Sequence, residues 1–371
     1  MKIDKKKWLY VIGCIAVTAI LLYISLNNKN EISLLGEPLV IFSKPKKEEI
    51  DLDEIIAQDL KEKELIYQIS VLDEGIVMYS TYNSGAYRYG PSIMIHDDGS
   101  MDAWFSAPGN SSTQWDWITY RHSDDGKNWS SEKTVLKPTP NSPDQCSVCD
   151  PGLIYFNDYY YLAYTSTADY SRKGYNNSAF VARSKNPDGP FEKWNGSSWG
   201  GSPEPILRYE GDPSGWGIGE ISFVIKDEDL YIYYTFFDNN GGSTYLAKAD
   251  LVDDWPLTLR EKGLVCPRVY QDSLDVTYSE DLDTFLAFSI EFRMGESSRI
   301  IMYESKTGTD FVMKDTTKTN VENYAHNLGI SKNEMGHIDV DDNLIVGYGY
   351  GRNWGKWSAK FQHLKITYLI G

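Results

Sequence analysis

The stretch Asp150 to Tyr164, DPGLIYFNDYYYLAY, shows the pattern from which the fold can be predicted. A Pro-Gly pair opens an apolar run, Asn157-Asp158 interrupts it, and an aromatic run follows. Apolar and aromatic runs of this length, separated by turn-forming residues, are typical of two antiparallel strands joined by a tight turn. The stretch therefore predicts a β-hairpin.

The same pattern recurs along the chain. Gly90 to Phe105 (GPSIMIHDDGSMDAWF) and Glu220 to Tyr234 (EISFVIKDEDLYIYY) repeat the opener, apolar run, turn and aromatic run. Weaker copies open at Asp275 and His337. The starts at 90, 150, 220, 275 and 337 imply a period of about 60 residues, which indicates a repeat architecture.

A second marker has the same period. A turn followed by an aromatic residue closes four of the copies, beginning near residues 123, 184, 249 and 305. Each unit has room for four strands, and no long 3.6-residue periodicity interrupts them. We therefore expect an all-β fold, a five-bladed β-propeller over residues 71–371.

Composition excludes one class of partner. The formal net charge is −17, which repels a phosphate backbone, so nucleic acid is not an expected partner. Aromatic residues make up 14% of the chain, and flat rings of this kind pack well in strands and against sugar rings.

The N-terminal region predicts a membrane anchor. Residues 1–7 are lysine-rich and form the expected cytoplasmic tail, residues 8–26 are apolar and long enough to span a bilayer, and residues 27–70 form a charged stem. The positive flank places the N-terminus in the cytoplasm and the propeller outside. Cleavage as a signal peptide, or lipidation at Cys14, are the alternatives.

The cysteines outside the anchor do not define a site. Cys146 and Cys149 form a CxxC spacing, and Cys266 stands apart. No second CxxC or histidine pair accompanies them, so a local structural role is favoured over a redox or zinc site.

The repeat also predicts which residues share a face. In an up-and-down blade, the start of the inner strand lies on the same side as the loop between the second and third strands. That face carries the acidic openers Asp150 and Glu220, with Asp116 between two tryptophans. Converging carboxyl groups beside aromatic rings suit glycoside cleavage. The expected substrate-binding residues are Arg88, Trp115, Trp117, Tyr170, Asp275, Glu291, Arg293, His337 and Trp354.

These motifs resemble the five-bladed propeller glycoside hydrolases of the family-43 type, which include β-xylosidases and arabinofuranosidases. The resemblance covers about residues 71 to 371 and is carried by Asp150-Pro151, by the Ala182-Arg183-Ser184 run with Gly189-Pro190-Phe191, and by Glu220. It implies that Glu220 is the general acid, that Asp150 orients the base and tunes its pKa, and that cleavage inverts the anomeric centre. The partner is then an oligo- or polysaccharide, with no required cofactor. A metal ion on the axis is an analogy through His337.

The first repeat departs from the family pattern. Gly90-Pro91 stands where the family has Asp-Pro, so the expected general base is missing. Asp116 is the first candidate to replace it, and Asp169 or Glu291 are others. Without a replacement, the chain is expected to bind a glycan and not cleave it, or to act as a scaffold in a membrane complex. Sialidase-like propellers are a weaker match, since Arg88, Arg293 and Arg352 form no evident triad.

Overall fold

A computed structural model describes residues 65–80, 87–171, 173–238, 241–267, 272–319, 321–340, 342 and 344–370. These residues form β-strands and one short 3₁₀-helix, Trp255–Thr258, which confirms the predicted all-β class. The predicted tail, anchor and most of the stem lie outside the described residues. Within the described ranges, no helix is both long and apolar enough to cross a bilayer.

The strands fall into successive antiparallel groups. The chain begins with β1 (Leu65–Val71) and β2 (Ile76–Tyr79), both of which pair with the last strand. The first group is β3 (Tyr89–Ile95), β4 (Met101–Ser111), β5 (Gln114–Ser123) and β6 (Lys133–Leu136). The second group is β7 (Cys149–Phe156), β8 (Tyr159–Ser166), β9 (Ser178–Ser184) and β10 (Glu192–Lys193).

The later groups follow the same order. The third is β11 (Gly217–Lys226), β12 (Asp229–Asp238), β13 (Gly241–Asp250) and β14 (Arg260–Pro267). The fourth is β15 (Asp275–Ser279), β16 (Thr284–Glu291), β17 (Arg299–Ser305) and β18 (Val312–Thr316). The last is β19 (Ala325–Lys332), β20 (Leu344–Tyr350) and β21 (Ser358–Ile370), which β1 and β2 complete.

Four sheets result from these groups. The second, third and fourth groups are separate four-stranded sheets, while the last and first groups form one nine-stranded sheet through a short parallel pairing of β19 with β3. The first strands of successive groups contact each other in the order β3, β7, β11, β15 and β19, and β19 contacts β3 again. These strands therefore surround a common axis.

The stem boundary predicted at residue 70 falls inside a strand. In β1, Leu65, Tyr67 and Ile69 are buried and alternate with exposed residues, as expected for a strand with one face on the core. All of β1 pairs with the end of β21, so the β-domain begins before residue 71.

The hydrophobic core lies between neighbouring sheets. Trp104 of the first group packs with Tyr164 and Phe180 of the second, and Tyr233 of the third packs with Phe285 of the fourth. Full burial of an aromatic or aliphatic side chain of this size stabilises a fold by about 1.5–3 kcal/mol. Packing of sheet faces thus holds the inner strands in place around the axis.

Glycines let the inner strands approach closely. A Cβ on Gly152 of β7 would lie 2.0 Å from the carbonyl oxygen of Ile221 of β11, and one on Gly329 of β19 would lie 1.9 Å from that of Pro91 of β3. No larger residue fits at either position. The two glycines thus let β7 approach β11 and β19 approach β3.

Candidate active site

The inner strands begin with a shared backbone geometry. Gly90, Asp150, Glu220 and Asn327 have φ values of +54°, +50°, +51° and +48°, and each lies where the strand register shifts. Non-glycine residues seldom adopt this left-handed conformation. Because this conformation recurs in four groups, the direction in which a side chain leaves the backbone is the same at all four openers, relative to the strand.

The structure corrects one of the predicted openers. In the fifth inner strand, Asn327-Leu328-Gly329 has the place of Asp150-Pro151-Gly152, and His337 does not. The fourth inner strand begins at Asp275, as predicted, and Ser273, Leu274 and Asp275 line the axial region beside the other openers. The fifth copy was misaligned because its opener is Asn, which the acidic pattern does not select.

Asp150, Glu220 and Asp116 line one cleft, here called the central cavity. Its volume is about 190 Å³, and it is open to solvent. Its aromatic walls are Tyr87, Tyr89, Trp115, Trp216, Trp354 and Trp357. Its other polar lining includes Cys149, Lys173, Arg293, His326 and Asn327.

A backbone hydrogen bond holds Asp150 in place. Its N–H donates to Ser106 Oγ over 2.8 Å, and its Oδ2 lies 3.3 Å from the Cys149 thiol. The side chain is buried, and burial together with the negative charge of Glu220 raises the pKa of Asp150 well above the usual range of a carboxyl group. Asp150 therefore holds its proton far more readily than an exposed aspartate.

Glu220 is positioned by two neighbouring strands. Its N–H donates to Thr165 Oγ1 of β8 over 2.9 Å, and its Oε1 accepts a hydrogen bond of 2.7 Å from Asn327 Nδ2 of β19. The side chain is half-buried, so it is accessible from the central cavity. This combination suits a group that exchanges a proton with a ligand.

Asp116 enters the same cavity from β5. Ser147 Oγ donates to its Oδ2 over 3.1 Å, and the Tyr87 hydroxyl donates to its Oδ1. Burial raises the pKa of Asp116 to about 6, although both hydrogen bonds act in the opposite direction. The carboxyl predicted between two tryptophans thus joins the other two.

The fourth group contributes a cation that is itself anchored. Arg293 Nε donates to Asp272 Oδ1 over 2.6 Å, and Asp272 Oδ2 accepts the backbone N–H of Asn327. The Arg293 side chain remains 37% exposed. Glu291 binds Arg299 over 2.6 Å, because these two residues lie opposite each other in β16 and β17.

The predicted substrate-binding residues divide into two sets. Trp115, Arg293 and Trp354 line the central cavity. Those that do not line it are Arg88, Trp117, Tyr170, Asp275, Glu291 and His337. Arg88 is held by Glu132 over 2.5 Å, and Lys137 Nζ lies 4.4 Å from the Trp117 ring centroid. Tyr170 is 50% exposed.

His337 lies at the far end of the inner strands. Its Nδ1 is 3.0 Å from Glu280 Oε1, and it borders a different cavity together with His96 and Asp97, which belong to the turn after β3. The sequence placed it beside Glu220 because it was aligned with the strand start. In the fold it follows the strand end, so it is on the opposite face.

The ammonium group of Lys332 lies among oxygen atoms of two inner strands, β11 and β15. Lys332 Nζ lies 2.6 Å from Asp275 Oδ1, 3.1 Å from Ser222 Oγ and 3.2 Å from the Val276 carbonyl oxygen. Across the described residues, no group of three or more His, Cys, Asp or Glu side chains is arranged to hold a metal ion. The described residues therefore do not fit the axial ion suggested by analogy.

Residues of the site that were missed from the sequence include Asp272, His326 and Asn327. Asn327 was detectable, since Asn-Leu-Gly repeats the spacing of Asp-Pro-Gly. Asp272 and His326 carry no comparable signal, because they act through contacts between different groups.

Comparison with known proteins identifies the fold. No protein-family model matches the chain, and no curated protein matches it in sequence. A family 117 glycoside hydrolase from the marine bacterium Zobellia galactanivorans is 18% identical, with a TM-score of 0.57 over 81% of this chain and 90% of that one. An α-L-arabinofuranosidase from Podospora anserina, solved with cellotriose, is 12% identical, with a TM-score of 0.56 over 81% and 97%.

A third structure agrees with these two. The catalytic domain of a family 62 α-L-arabinofuranosidase from Coprinopsis cinerea is 14% identical, with a TM-score of 0.55 over 82% of this chain and 97% of that one. The chain thus has the β-propeller-like fold of these glycoside hydrolases. At such low identity the likeness concerns the fold, and the family-43 relationship remains a prediction.

Proposed function

We propose that the protein is a glycoside hydrolase in which Glu220 is the general acid. The observation that carries this proposal is the convergence of Glu220, Asp150 and Asp116 in one aromatic-walled cavity. Cleavage of a glycosidic bond needs one carboxyl group to protonate the leaving oxygen and a second to activate water. The strand groups around the axis then correspond to the five blades of a propeller.

Asp150 and Asp116 have different parts in this mechanism. Asp150 is buried beside Glu220, and ionisation of either carboxyl group opposes ionisation of the other, so Asp150 helps to keep the proton of the acid in place. Asp116 has a pKa of about 6 and is ionised at neutral pH, as a general base must be. Water held by Asp116 would attack from the face opposite the acid, which gives inversion.

The substrate is expected to be an oligo- or polysaccharide. Trp354 is 71% exposed at the cavity rim, and Trp115 lies on its wall, so both present ring faces or edges to a sugar. Two of the similar structures are α-L-arabinofuranosidases, which makes arabinofuranosides the first substrates to test.

The test uses purified protein and 4-nitrophenyl α-L-arabinofuranoside, followed by a panel of arabinose- and xylose-containing polysaccharides. We expect release of sugar, and Glu220→Gln should abolish it. Glu228→Gln is the matched control, since Glu228 is exposed in the turn at the other end of β11. Unchanged turnover in Glu220→Gln would refute the assignment, and the anomer first formed, observed by NMR, reports inversion or retention.

A noncatalytic glycan-binding protein is the second candidate. Gly90 favours it, because the first inner strand presents no carboxyl group at the position equivalent to Asp150. This candidate predicts calorimetric binding of a polysaccharide without new reducing ends. Detection of products that disappear with Glu220→Gln would eliminate it.

We also propose that residues 8–26 anchor the protein in a membrane, with the β-domain outside. The lysine-rich flank and the apolar run support this orientation. Fractionation of cells that express the full chain tests it. Recovery of the protein in the membrane fraction, with external protease cutting the β-domain, is the expected result, whereas a shortened soluble product would contradict it.

A further inference from the structure

Asn327 is fixed by three hydrogen bonds. Its backbone N–H binds Asp272 Oδ2, its Oδ1 lies 2.8 Å from His326 Nδ1, and its Nδ2 donates to Glu220 Oε1 over 2.7 Å. The two side-chain contacts connect His326 to Glu220 through a single amide. Neither His326 nor Asn327 has a part in the hydrolytic scheme above.

The chemistry of the amide determines the protonation of His326. An amide has one donor end and one acceptor end, and an ionised carboxylate only accepts. With Nδ2 facing Glu220, Oδ1 must face His326, so the hydrogen of the imidazole is on Nδ1. The reverse orientation would place the amide oxygen against the carboxylate, which is repulsive.

The surroundings of His326 favour this neutral tautomer. Burial, and then the positive charge of Arg293, lower the pKa of His326 to about 4, while the hydrogen bond with Asn327 and the charge of Asp272 act in the opposite direction. Within the described structure, Nε2 is buried and has no hydrogen-bond partner. A Cβ on Gly349 would lie only 3.0 Å from Nε2, so the ring is packed tightly against β20. A protonated Nε2 would bury an unpaired donor.

We propose that His326 and Asn327 are positioning residues which select the oxygen of Glu220 that carries the transferred proton. This proposal rests on the proposed role of Glu220 as the acid. Because Asn327 binds Oε1, the proton is placed on Oε2. The same hydrogen bond stabilises the carboxylate that remains after the proton has moved to the leaving oxygen. Asp150 and Arg293 are among the charged groups that act on Glu220 from other parts of the fold.

The proposal predicts opposite results for two substitutions of His326. In His326→Asn, the side-chain amide branches at Cγ as the imidazole does and retains a donor near Nδ1. In His326→Gln, the amide extends toward the Nε2 position, and the donor to Asn327 is lost. His363→Gln is the control, since His363 is half-exposed and lies on β21 away from the cavity.

The decisive readout does not need turnover. Glu220 is followed by carboxyl ¹³C NMR, with Glu220→Gln identifying its signal. Loss of a hydrogen bond to a charged group changes the pKa of that group by about one unit. We expect His326→Gln to raise the pKa of Glu220 by about one unit, and His326→Asn and His363→Gln to leave it near the wild-type value. Equal titration of Glu220 in all four proteins would overturn the proposal.

Two further measurements separate the possible failures. Imidazole ¹⁵N NMR of the wild type should show His326 as the Nδ1–H tautomer. An Nε2–H tautomer would overturn the proposed role of His326 and Asn327. If arabinofuranoside turnover is found, His326→Gln should lower kcat about tenfold with little change in KM, and His326→Asn should restore it. An inactive wild type would refute the proposed hydrolase activity. The carboxyl titration would still test the effect of His326 and Asn327 on Glu220. Thermal melts of each variant establish that it is folded.

Discussion

A Cβ added to Gly90 would lie 3.5 Å from Asp150 Oδ1, in ordinary van der Waals contact. The position is therefore not filled by other atoms, and its φ of +54° is nearly that of Asp150 itself. Gly90 thus leaves room at the place where the family-43 resemblance puts a general base.

Gly90→Asp should consequently introduce a second base. A positioned general base contributes about 10²–10⁴-fold to a rate, so we expect hydrolysis of a responsive glycoside to increase at least about tenfold. Gly90→Asn has the same shape without the charge and serves as the control. Equal rates for the two variants, measured as reducing ends released, would show that position 90 does not contact the attacking water.

Asp150→Asn should shift the pH dependence of turnover downward. An ionised Asp150 opposes ionisation of Glu220, so removing its charge lowers the pKa of the acid. The alkaline limb of kcat/KM should move down by about one pH unit, opposite to the effect expected for His326→Gln. Asp158→Asn, in the exposed turn after β7, should leave the limb in place. An unmoved limb in Asp150→Asn would remove Asp150 from the proposed mechanism.

His96 should make the stability of the fold depend on pH. Its Nε2 lies 2.9 Å from Asp102 Oδ2 and its Nδ1 3.1 Å from Glu334 Oε1, and the hydrogen bond to Asp102 is the main reason that its pKa rises to about 9. A raised histidine pKa stabilises the fold fully below the unfolded value of 6.5, and this contribution disappears as pH rises through about 9.

His96→Gln should therefore lower the free energy of unfolding by about 1–3 kcal/mol at pH 6 and much less at pH 10. Urea unfolding at both pH values measures this difference. His363→Gln is the control at a half-exposed histidine on β21. A loss of equal size at both pH values would mean that packing of the ring, and not its charge, is responsible.

Trp354→Ala should weaken glycan binding without destabilising the protein. Trp354 is 71% exposed, and its ring centroid lies 4.8 Å from that of Trp357 in an edge-to-face contact. Loss of one aromatic contact costs about 0.5–1.5 kcal/mol, so calorimetry with xylotriose or cellotriose should show about 2- to 10-fold weaker binding. Leu257→Ala, at another exposed apolar side chain, should bind as the wild type does. Similar affinities in both variants would place the sugar elsewhere.

Much of the fold was accessible from local sequence. Alternating apolar and turn-forming residues determine strands and their approximate lengths, and the strong copies at residues 90, 150 and 220 were correctly aligned with β3, β7 and β11. The weak copy at residue 337 was misplaced because the opener is defined by backbone conformation. Asn327 and Glu220 share a φ near +50° although their side chains differ in charge.

The all-β class and the placement of Asp150 and Glu220 on one face follow from strand periodicity and repeat spacing, so both could be predicted from the sequence. The contacts that hold the site together arise only in the folded chain. Asp116, a candidate from the sequence, accepts hydrogen bonds from Ser147 and Tyr87, and Arg293 binds Asp272 while its sequence neighbour Glu291 binds Arg299. Hydrogen bonds and ion pairs of this kind depend on distances between strands far apart in the chain, which local residue patterns do not encode.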